Sequence, residues 1–187
     1  DVEDLKTALG TEEYLDVLGG WEWLQSEYGY KKSEIGLMGG SLGGVTALIS
    51  FIKEDAIAAL FLDSPFSDHL TIISEELVRK GYPSWTAYAG IMWAGILSQD
   101  DLLSVSLMDE LAQSKQRPLY MTHAKRDPRI AFYHSENLSI IAKENNFPLT
   151  TWWTEGEHHV KGIFAYTQEY ESRLVNFFDK NLSKEND

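Results

Sequence analysis

The first chemical signal in this chain is a serine set among glycines. Gly39-Gly40-Ser41-Leu42-Gly43 fits the pattern G-x-S-x-G, in which a strained strand-to-helix turn exposes the serine hydroxyl as a nucleophile. The pattern alone arises by chance in roughly one chain in twenty of this length, so its flanks must carry the argument. An apolar run, Ile35 to Met38, precedes it, and a helical segment from Val45 to Ile52 follows. Close approach of that strand and helix is expected to forbid a Cβ two residues before and two residues after the serine. The bland alternative is a serine that only caps the helix.

A hydroxyl is a weak nucleophile at neutral pH. It needs a base to take its proton and an acid to orient that base. The segment from Thr122 to Ile130 offers Asp127, and the segment from Thr154 to Val160 offers His158 or His159. The order serine, aspartate, histidine is the one expected for this type of elbow. The Leu42 N–H is aimed where an oxyanion would form. Asp63, after an earlier apolar run, is a rival acid, and Asp127 before Pro128 also reads as a turn former. His123 reads as shaping the turn, and His69 and His134 as helix-surface or lid residues. The chain has no H-x-x-x-H or H-E-x-x-H spacing and no cysteine, which argues against a metal site.

These side chains need a scaffold. Apolar runs at Ile35–Met38, Ala56–Leu62, Arg117–Thr122 and Pro148–Trp153 read as strands, and near-continuous runs of this kind suit parallel strands covered on both faces. Helices are expected from Thr11, as cap, to Tyr28, from the elbow to Lys53, from Ala131 to Asn145 and from Gly162 to Asn181. Tyr14, Leu15, Val17, Leu18, Trp21 and Leu24 recur at helical spacing, and Gly19-Gly20 suggests close packing there. The alternation predicts an α/β domain, a parallel sheet of about four strands flanked by helices, with the ligand site beyond the strands' carboxyl ends. Residues 64–116 carry no strong strand signal and read as two or three helices inserted in a single domain spanning 1–187. Their aromatics, Phe66, Trp85, Tyr88 and Trp93, are candidates for walling a substrate pocket above Ser41.

Length and composition are those of one ordinary globular domain: 187 residues, 43% apolar and 24% charged. A net charge of −13 argues against nucleic acid and anionic membrane as partners. No stretch is apolar enough to span a bilayer and no signal-peptide pattern opens the chain, so the expected setting is cytoplasmic. The first residue is Asp1, which points to sequence upstream.

With the elbow, Leu62 to Phe66, Pro118 to Asp127 and Gly156 to His159 taken together, the chain resembles the α/β-hydrolase superfamily, in particular small serine esterases and prolyl-oligopeptidase-like hydrolases. The resemblance covers nearly the whole chain. It implies Ser41 as nucleophile, His159 as base through the family's Gly-x-x-His spacing from Gly156, and Asp127 as acid. The family's His-Gly-x-x-Asp stands here as His123-Ala124-Lys125-Arg126-Asp127, with alanine for glycine. It further implies a small ester substrate, no cofactor, and a helical cap. A peptidase or acyltransferase would use the same residues, and a non-catalytic remnant acting as a binding module is the opposing reading. The family's complete fold has about eight strands, of which this chain supplies about four, with no His-Gly-type oxyanion loop before Ser41. The expectation is therefore a truncated hydrolase domain whose elbow strand, left as an apolar edge, is covered by a second copy or an N-terminal segment.

Overall fold

The computed structural model describes residues 9–90, 106–156 and 158–183; Met92, Trp93 and Ile96 of the expected cap fall outside them. Four strands form one sheet in the order β1-β2-β3-β4, every neighbouring pair parallel. They are β1 (Leu37–Gly40), β2 (Leu60–Asp63), β3 (Leu119–Ala124) and β4 (Leu149–Thr154). The helices are α1 (Tyr14–Tyr28), α2 (Leu42–Lys53), α3 (His69–Arg79), α4 (Leu107–Gln113), α5 (Tyr133–Glu144), α6 (Gly162–Ala165) and α7 (Thr167–Asn181). Residues 85–90 are helical as well, and no strand lies in the described part of 64–116.

Side chains alternate across a strand, so each strand serves two layers. Leu60, Leu62, Leu119 and Met121 pack with Trp21, Leu48, Phe51, Leu111 and Leu138, from α1, α2, α4 and α5. Phe61 and Tyr120 face the other way, onto Tyr170 and Phe177 of α7. Phe61 stacks flat on Tyr120, with ring centroids 4.5 Å apart. Because both faces are covered, β2 and β3 are buried at every position, and their sequences read as unbroken apolar runs.

The ladders begin later than those runs suggest. Ile35, Ile57 and Ala59 are buried outside the strands, in the connections that enter them. Apolarity marks burial, whereas a strand begins only where the neighbouring backbone is in register. Three helix details also differ from the sequence expectations. α1 starts at Tyr14 rather than just after Thr11, with the Glu13 carboxylate accepting from the Gly10 N–H. A Cβ at Gly19 or Gly20 would meet nothing within 4 Å, so that pair marks no close packing, and Leu15 is exposed. The closing helix is split at Tyr166, whose backbone leaves helical geometry.

Arg117 fixes the far end of the elbow helix. Its guanidinium lies 3.7 Å from the Phe51 ring centroid and donates to the carbonyls of Phe51, Glu54 and Ile57. Those acceptors sit at and beyond the C-terminus of α2, where carbonyls lose their helical partners. One buried cation thus ties the helix that starts at Ser41 to the entry of β3.

Candidate active site

Ser41 sits between β1 and α2 with φ 55° and ψ −127°, a conformation that costs a non-glycine residue about 1–3 kcal/mol. The surrounding ladder holds it there: the Ser41 N–H donates to the Asp63 carbonyl and its own carbonyl accepts from Val45 N–H. The glycines divide differently from expectation. A Cβ at Gly39 would overlap the Gly43 carbonyl, and one at Gly44 would come 3.1 Å from the Gly39 oxygen. A Cβ at Gly43 itself would meet nothing. The close approach is between Gly39 and the backbone of the first helical turn, so the trailing glycine that matters is Gly44. Gly40 is confined from another side, since its Cβ would lie 2.7 Å from Val160 Cγ1.

His159 follows β4 and reaches across to the serine. Its Nε2 is 2.8 Å from Ser41 Oγ and its Nδ1 is 2.9 Å from Asp127 Oδ2. Since the carboxylate can only accept, Nδ1 carries the hydrogen and Nε2 is left to take the serine proton. Asp127 meets both readings offered by its sequence. Its Oδ1 accepts from the amides of Arg129 (2.8 Å) and Ile130 (3.0 Å), which makes it a turn residue, while Oδ2 faces His159. Burial pushes this carboxyl up. Hydrogen bonds from His123, His159 and the two amides more than offset that, and hold it well below the usual carboxylate range.

His158 and Asp63 do not join this line. His158 turns toward Tyr166, and both of its ring nitrogens are buried without a hydrogen-bond partner. Asp63 accepts from Tyr170 Oη and Ser64 Oγ, each at 2.9 Å, and burial pushes its carboxyl up. His69 and His134 are buried rather than surface or lid residues. His69 Nε2 lies 3.0 Å from the Leu9 carbonyl. His134 Nδ1 accepts from the Ser67 N–H (3.2 Å) and faces Ser67 Oγ (2.9 Å), so its Nε2 hydrogen points at Glu75 (3.3 Å). Such partners are invisible to spacing, because each joins elements about 60 residues apart.

A cavity of about 300 Å³ opens beside Ser41. Leu42, Phe66, Ile72, Ile73, Leu77 and Ile130 make it mainly apolar, with Glu76, Lys80 and Arg129 also contributing. Of the aromatics expected to wall a pocket, Phe66 does so. Trp85 and Tyr88 are 70% and 54% exposed and do not line this cavity, and Trp93 lies outside the described residues. Helix α3, whose register of Ile72, Ile73 and Leu77 forms one wall, was not singled out from sequence for that role. Leu42 opens α2, so its N–H has no acceptor within the helix and stands at the positive end of the helix dipole.

The sequence model of the prolyl oligopeptidase family matches residues 2–185. Two Escherichia coli proteins, each called uncharacterized protein YfhR, are 29% and 28% identical over 152 residues, 80% of this chain and 47% of theirs. The chain thus spans about half the length of these relatives. Among solved structures, it is similar to the Pyrococcus furiosus esterase Pf2001, with a TM-score of 0.73 at 22% identity over 96% of this chain and 66% of that one. The acylaminoacyl peptidase of Pyrococcus horikoshii gives a TM-score of 0.68 at 19% identity, covering 96% of this chain and 29% of that chain. These likenesses show the α/β-hydrolase fold. With the family model spanning the chain nearly end to end, the chain belongs to the prolyl oligopeptidase family.

Proposed function

We propose that the chain is a serine hydrolase that cleaves carboxylic esters through an acyl-enzyme. The observation that carries this reading is the unbroken hydrogen-bonded line from Ser41 Oγ through His159 to Asp127. In this reading Ser41 Oγ attacks the ester carbonyl as its proton passes to His159 Nε2. Leu42 N–H steadies the negative oxygen of the tetrahedral intermediate. Collapse expels the alcohol, which takes the proton from His159, and a water activated by the same imidazole then releases the acid. The mainly apolar cavity beside the serine supports an apolar acyl or alcohol group over a strongly charged one. A second reading, peptide hydrolysis with the same residues, is favoured by the family model and by the acylaminoacyl peptidase likeness.

The test is covalent labelling with a fluorophosphonate probe, with the modified residue mapped by mass spectrometry. The expected result is a single adduct on Ser41 that falls by at least about 1,000-fold in rate in His159→Ala. A folded chain that resists labelling would mean a non-catalytic binding module. Paired ester and amide substrates with a common acyl group then separate esterase from peptidase.

A further inference from the structure

His123, at the end of β3, is fully buried and has no part in the proposed mechanism. Its Nε2 lies 3.3 Å from Asp127 Oδ2, the same oxygen that meets His159, and 3.1 Å from the Ile130 carbonyl. Both are acceptors, so Nε2 must carry hydrogen. Its Nδ1 lies 2.6 Å from Ser135 Oγ on α5, and a neutral ring bonded in this way takes the serine hydrogen there. The Phe132 ring closes the remaining side edge-on, with centroids 5.8 Å apart. Every polar atom of the imidazole is thereby committed, in one tautomer and one orientation.

We propose that His123 is a positioning residue for the acid: it shares Asp127 Oδ2 with His159, fixes the carboxylate's orientation and draws off part of its negative charge. This inference rests on the reading of Ser41, His159 and Asp127 as nucleophile, base and acid. A carboxylate oxygen faced by two imidazole N–H groups, one of them also hydrogen-bonded to the Ile130 carbonyl, offers His159 less charge than it would offer it alone. The His159 imidazolium is therefore stabilised less than it would be by an undivided Asp127. The acceptor that orients the base is thereby shared, and Ser135 keeps His123 in the tautomer that shares it. Among the described residues, other titratable groups near the cluster include Asp63 at the end of β2, His134 on α5 and His158 beside the base. Lys125 and Arg126, on the acid loop, turn outward to Glu155.

The experiment follows the rate of fluorophosphonate labelling against pH for the wild type, His123→Leu, His123→Gln and Ser135→Ala. In His123→Leu the rate at pH 8 should fall about 10-fold or more, and the acid limb of the profile should move to higher pH by roughly half a unit or more. His123→Gln, whose amide can still donate, should keep most of the rate and the wild-type limb. Ser135→Ala frees the other tautomer and should shift the limb upward by less. General loosening of the loop would instead weaken the Asp127–His159 bond and move the limb downward. A limb that stays or falls in folded His123→Leu overturns the proposal. If that variant does not fold, an unshifted Ser135→Ala overturns it. A wild type that is not labelled, or a label indifferent to His159→Ala, would instead strike at the underlying functional reading.

Discussion

Val160 has φ 52°, a conformation that branched side chains rarely adopt, and its Cγ1 occupies the space above Gly40. The residue after His159 is thus seated on the residue before Ser41. In the elbow pattern the Gly40 position is free to be anything; in this chain Val160 fills it. Gly40→Ala should push Val160 and the His159 loop away, cutting the Ser41 labelling rate by about 100-fold. Adding Val160→Ala removes the colliding methyl and should restore most of it. A double variant as slow as Gly40→Ala would contradict this packing account. That Ser41, Asp127 and His159 come together could be anticipated, because their types, order and positions after strands are those the proposed chemistry would require. The parts of Val160 and His123 could not. One acts through shape and a strained backbone, the other through a tautomer fixed by Ser135, and neither leaves a spacing to read.

At the level of elements, the cavity wall depends on a clamp outside the proposed chemistry. His134 on α5 bonds Ser67 in the loop after β2 and Glu75 on α3, and Tyr133 Oη donates to the same carboxylate. Burial pushes the His134 imidazole down, against the pull of Glu75. Its lowered folded value means that the contribution is complete above its ordinary value of 6.5 and is lost as pH falls through and below that value. Between pH 6.5 and 5.5 the loss can reach at most about 1.4 kcal/mol. His134→Gln should be less stable than wild type at pH 8, and the gap between them should narrow at pH 5.5. Thermal melts at the two pH values check this, and a gap that widens in acid would refute it. The elements themselves were largely legible, since near-continuous apolar runs and helical spacing survive in a single sequence. Their boundaries were less so, because Ile35, Ile57 and Ala59 are buried as strand residues are while lying before the ladders begin.

For the molecule as a whole, β1 lies at one end of the sheet and, among the described residues, pairs only with β2, with Met38 on it 47% exposed. Nearby in sequence, Trp23, Tyr28 and Tyr30 are also exposed. We propose that this edge is covered by a second copy of the chain or by a segment preceding it. Light scattering over a dilution series should show a dimer of the 187-residue chain, and a stable monomer without companion polypeptide would rule the cover out. Fold class was legible at this scale because strand and helix signals alternate along the whole chain. The sequence offers nothing to identify what would cover the edge, since a sheet edge does not name its partner. The distance along the chain between nucleophile and base has a consequence in time. Ser41 and His159 lie 118 residues apart, on loops after the first and last strands. In a wholly parallel sheet, each pairing closes a long loop before any contact rewards it. The elbow can form early from neighbours, but the imidazole arrives only when β4 has docked. On the proposed reading, a chain emerging from synthesis carries its serine inert through most of its folding, and gains a reactive hydroxyl when the sheet is complete.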